Sequence, residues 1–213
     1  MGAELAFVTN WGSEAPPLLL KAARRLEPID PELSRATYLQ ALTAGYFAGR
    51  LALGGGVAEV ARAAANAPPP SHPPRAPELL LDGLVAHHIR GYEAGLPILR
   101  KALHAFGTGM SVDEELRWRW VVGIVARYVW DDHSWDVLSD RHVELARSVG
   151  ALSELPVALN SRAFMLLFAG KLAAAASLIQ QLEPAMEATG SNAFPTRPLL
   201  WPFSPADKPK QQP

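Results

Sequence analysis

Phe47-Ala48-Gly49-Arg50-Leu51 occurs twice in this chain, returning with one conservative change as Phe168-Ala169-Gly170-Lys171-Leu172. In both places an apolar, helix-patterned run precedes the glycine and a second helical run comes after it. The pentapeptide therefore reads as a tight turn between two antiparallel helices. Its glycine can take the left-handed conformation that ends a helix, where a Cβ would be strained. Two more turns fall between the copies: Gly91-Tyr92, after Leu84 to Arg90, and Asp131-Asp132, after Val121 to Trp130. The four markers recur about every 40 residues, and a two-helix repeat of that length is the pattern of a helical solenoid. The expected fold is all-α, a right-handed α-solenoid of antiparallel helix pairs.

The helices are legible outward from these turns, about nine in all. Ser13 or Glu14 caps the first, with Pro16 and Pro17 in its first turn and an apolar stripe of Leu18, Leu19, Ala22, Ala23 and Leu26. Asp30-Pro31 starts the second, whose small residues Ala41, Ala44, Gly45 and Ala48 admit a close neighbour. After Gly54-Gly55-Gly56 the partner helix runs from Val57 to Ala64. Ala67 to Pro77 reads as an extended linker. Pro97 is expected in the first turn of the helix after Gly91. Ser111 with Glu114 forms a capping box, and Asp132 or Ser134 caps the helix carrying Trp135. No alternating strand pattern appears. The domain reading is an irregular segment over 1–15, a helical-repeat domain over 16–190 and a proline-rich, disordered tail over 191–213.

Composition narrows the function classes. The 213 residues suffice for one large domain or two small ones. A net charge of −1 gives no general attraction to nucleic acid or anionic membrane. Cysteine is absent, which removes disulfides, thiolate metal sites and cysteine catalysis. The start, Met1 to Ala6, lacks the pattern of a secretory signal, and no apolar run is long enough to span a bilayer. The expected location is cytoplasmic.

No residue set specifies a reaction. His87 and His88 are adjacent on a helix and point about 100° apart, so they do not share an ion easily. Asp131-Asp132-His133 sits where a helix needs a cap. Gly54-Gly55-Gly56 could cradle a phosphate but lacks the lysine and Ser/Thr of the nucleotide-binding pattern, so a flexible turn is favoured. Arg117-Trp118-Arg119-Trp120 mixes base and aromatic as single-strand binders do. It lies beside Asp113, Glu114 and Glu115, so Trp120 is read as core, Trp118 as packing on a neighbouring repeat and both arginines as paired with local acids. Ser161 and Ser177 have no partner pattern for nucleophilic catalysis. Expected catalytic, metal and cofactor residues are therefore none.

Several segments resemble one region of the large ATP-binding regulators of the LuxR family, which include MalT-like proteins. They are Ala15 to Leu20, Arg24 to Pro31, Thr37-Tyr38-Leu39 with Phe47 to Arg50, Asp82-Gly83-Leu84, Pro97 to Leu103, Glu114 to Trp118, and Trp130-Asp131-Asp132 with Trp135. The similarity runs from about Phe7 to Gly190 and covers the family's middle part, a tetratricopeptide-like helical sensor. The Gly-x-x-x-x-Gly-Lys-Ser/Thr motif of its ATPase and its DNA-reading helix-turn-helix have no counterpart in this sequence. The resemblance implies a non-enzymatic interaction or sensor module, acting in transcription regulation and signal transduction. It would bind a protein partner or small effector, without direct nucleic-acid or membrane binding. Trp118, Tyr128, Trp130 and Trp135 are the candidate contacts. The alternative is a truncated remnant with no independent activity, self-associating through its exposed terminal repeat. A third reading, a small enzyme, would need Asp131, Asp132 or His133 to converge in a pocket.

Overall fold

The computed structural model describes residues 14–49, 54, 56–70, 72–106 and 108–189. Among these there are nine α-helices and no strand, as the helical periodicity predicted. The tail from 191 lies outside the described residues. The stretch read as one repeat domain divides into two compact units, Met1–Met110 and Ser111–Pro213.

The first unit holds α1 (Ala15–Leu26), α2 (Pro31–Ala48), α3 (Val57–Ala64), α4 (Ala76–Arg90) and α5 (Tyr92–Ala105). Each packs on the next, and α2 also meets α4. Three consecutive leucines leave the register of α1 open in the sequence. The structure settles it on Pro16, Leu19, Leu20 and Ala23, and leaves Leu18, expected inside, exposed. Glu14 stands at the N-cap but makes no side-chain cap bond. Asp30 does cap α2, accepting from the Leu33 N–H at 2.9 Å, with Pro31 in the first turn. α2 is buried almost all round. It carries polar ties that periodicity does not reveal: the Ser34 hydroxyl donates to the Ala23 carbonyl at 2.9 Å, and buried Arg35 pairs with Asp82 of α4. Burial and the hydrogen bond to Glu27 both raise the Tyr38 phenol pKa.

Glycine sets the close approaches here. A Cβ on Gly45 would lie 3.1 Å from Val57 Cγ2, and one on Gly95 only 2.6 Å from His87 Cβ and 2.8 Å from the Gly83 carbonyl oxygen. The crossing of α4 and α5 therefore has no room for a side chain. The proline-rich linker ends at Arg75, and Ala76 and Pro77 already belong to α4. Pro97 stands inside α5 rather than in its first turn, because the helix starts directly at Tyr92. The ring is exposed.

The second unit holds α6 (Val112–Tyr128), α7 (Asp132–Ser148), α8 (Leu155–Phe168) and α9 (Leu172–Thr189). Again each packs on the next, with α6 also meeting α8. Ser111 caps α6 by accepting from the Glu114 N–H at 3.2 Å. Asp131 caps α7, in place of the expected Asp132 or Ser134. Its carboxylate accepts from both the Ser134 N–H (3.0 Å) and hydroxyl (2.7 Å). Val143, Ala146, Ala158, Leu159 and Leu182 form a core closed by Leu178, Ile179 and Met186. Leu172, the first residue of α9, is exposed.

An aromatic turn as the candidate functional site

Three helix ends in the second unit share one backbone motif. The Asp131 N–H donates to the Ala126 carbonyl at 2.9 Å, Ala151 to Ala146 at 2.9 Å, and Lys171 to Leu166 at 2.8 Å. Each bond reaches back five residues across one residue in left-handed conformation, the Schellman arrangement. At two ends that residue is glycine, Gly150 (φ 66°) and Gly170 (φ 70°). At the third it is Trp130 (φ 56°), the one non-glycine with positive φ among the described residues. A side chain in this conformation costs about 1–2 kcal/mol. The indole recovers little of that by packing, since Trp130 is 77% exposed.

Beside this turn the first residues of α7 build an aromatic stack. Trp135 is buried. Phe168, at the end of α8, meets its ring edge-on with centroids 5.4 Å apart, and the Arg127 guanidinium carbon lies 6.0 Å from its centroid. Phe168 itself is 67% exposed and Leu172 is also exposed. Tyr128 is 41% exposed. Of the four candidate contacts, Trp130 and Tyr128 thus reach the surface at the turn. Trp135 supports Phe168 from beneath, and Trp118 is buried in α6. Phe168 and Leu172 were not among the candidate contacts read from the sequence. The signal for them was the repeated pentapeptide itself, which marked their turn but not the exposure of its ends.

The remaining polar candidates take structural roles or stand apart. Asp131 is engaged in capping, while Asp132 and His133 are exposed. Arg119 is buried and pairs with buried Glu115 one turn earlier, which Arg141 also approaches at 3.6 Å. Arg117 is exposed. Half-buried His88 shares a hydrogen bond with Tyr46, and burial lowers its pKa, with a further push from His87. His142, missed in the sequence, is 1% exposed with Nε2 3.8 Å from a Glu154 oxygen. Burial lowers its pKa against the opposing pull of Glu154. No group of three or more His, Asp or Glu able to hold a metal ion occurs among the described residues. None of the described helices is long and apolar enough to cross a membrane. Comparison with protein-family models, curated proteins and solved structures finds no match to this chain.

Proposed function

We propose that this chain is a non-enzymatic helical-repeat interaction module, a solenoid of the kind found in the sensor region of LuxR-type regulators. It recognises a protein partner or small effector through the aromatic turn at Trp130. The observation that carries the reading is a tryptophan 77% exposed in a left-handed backbone position that glycine occupies at the two equivalent turns. Such a residue costs stability twice, through backbone strain and through apolar surface left in water. Tryptophan and tyrosine are also the side chains that most often anchor protein interfaces. Phe168, whose ring rests on buried Trp135, and Leu172 are further exposed apolar side chains of the same unit.

The test is Trp130→Gly in the full chain, screened against a displayed peptide library. Glycine relieves the strain, so the melting temperature holds or rises. Peptides selected on the native chain lose at least about tenfold in affinity. Selected peptides that bind the variant equally well, or a library that yields no saturable binder, overturn the proposal.

A further inference from the structure

We propose that a cleft on the first unit, between α1 and the chain at Gly54, binds a small amphipathic anion: a phosphate or carboxylate headgroup on an apolar body. The cleft measures about 380 Å³, toward the lower end of the roughly 300–1,000 Å³ typical of ligand pockets. Its apolar part is Pro17 and Leu20, and its charged part is Lys21, Arg24 and Arg25. Positions 17, 20, 21 and 24 share one face of a helix, so α1 alone presents an apolar beginning and a cationic end. Leu20 is buried, while the three cations are exposed.

The charges are only partly matched. Among the described residues Glu59 is the one carboxylate in the lining, and it stands 4.0 Å from Arg24. Lys21 and Arg25 have no ion-pair partner among the described residues. The whole chain carries a net charge of −1, so this excess is local. Arg24 and Arg25 also suit the C-terminal end of the α1 dipole, but that role does not extend to Lys21, a turn earlier. Gly54 completes the lining. Its φ is 129°, a region that L side chains avoid, and a Cβ there would meet nothing within 4 Å. The backbone conformation, not crowding, favours glycine, and the main chain stays bare to an approaching anion. The glycine run lacked an adjacent lysine in the sequence. The fold supplies the cations from α1 instead. This inference is independent of the aromatic turn.

The test is calorimetric titration of the full chain with octyl phosphate below its micelle concentration, and with inorganic phosphate. Octyl phosphate is expected to saturate one site, at least about tenfold tighter than inorganic phosphate, because the apolar floor adds burial. The double variant Lys21→Gln/Arg25→Gln weakens binding about tenfold or more, whereas Lys101→Gln on α5 leaves it unchanged. For the native chain, raising salt from about 0.05 to 0.5 M weakens binding severalfold, since the cations are exposed. Several results overturn the site: no saturation, salt-insensitive binding, or full affinity in a double variant that keeps its circular dichroism. Equal affinity for inorganic phosphate overturns the amphipathic assignment.

Discussion

Phe47-Ala48-Gly49 and Phe168-Ala169-Gly170 are the same three residues, yet they hand the chain on differently. α2 ends at Ala48 and the next described α-helix begins at Val57, with residues 50–53 and 55 outside the described residues, whereas α8 ends at Phe168 and α9 begins at Leu172. Gly170 sits in the left-handed helical well and its turn closes with the Lys171 to Leu166 bond. Gly49 has φ 51° and ψ −124°, outside that well. Leu172 is succeeded by Ala173 to Ala176, the best helix formers, while three glycines stand at 54–56. Each glycine costs about 1 kcal/mol in a helix relative to alanine. The same local motif thus stands before stretches of opposite helix propensity. The phenylalanines differ too: Phe47 is half-buried, while Phe168 lies exposed on Trp135.

The contrast can be broken most strongly at Trp135. Trp135→Ala removes a buried indole and the support beneath Phe168, and is expected to cost about 3–5 kcal/mol in urea denaturation. Phe168→Ala, at an exposed ring, should cost under about 1 kcal/mol. A large loss at Phe168 with little at Trp135 would reverse the assignment of support and surface.

Alanine at the two glycines sharpens the comparison. Neither site crowds a Cβ, so each penalty is purely one of backbone conformation. Gly170→Ala should cost about 1–2 kcal/mol. Gly49→Ala should cost more, about 2–3 kcal/mol, because alanine has no well near its φ and ψ. Equal melting temperatures for the two variants would contradict this order.

The smallest and most graded effect is in pH. Folded His142 and His88 both have pKa values lowered below the ordinary 6.5, chiefly by burial. The unfolded chain therefore takes up protons first as pH falls. Stability is fully present above about pH 6.5 and declines from there toward the folded-state values. His142→Gln should flatten the decline more than His88→Gln, since His142 is almost fully enclosed. Denaturation midpoints at about pH 7.5 and 5.5 measure it. A flat profile in the native chain would place both imidazoles in solvent.

The helices were legible because each has a local cause. Asp30-Pro31 and Ser111 start helices by bonds within one turn, and Gly91, Gly150 and Gly170 end them by backbone freedom. The candidate site was half legible. Trp130 stood at a predicted turn and reaches the surface; Tyr128 sits at the apolar spacing of the helix before it, where a core role is the expectation, yet it is exposed too. Trp118 and Trp135 have the same composition signal but point into the packing, a distinction that depends on which helix lies against them.

By itself, then, the sequence determined the all-helical class, the turns and those helix ends with a local cap, such as Asp30 and Ser111, because caps, prolines and glycines act over a few bonds. The tertiary structure alone decided the register of α1 among its three leucines and the burial of Arg35 against Asp82 and of His142 near Glu154. It alone brought Phe168 onto Trp135 and Gly54 beside the cations of α1. These outcomes join residues far apart in the chain, and only helix-on-helix packing sets which faces meet.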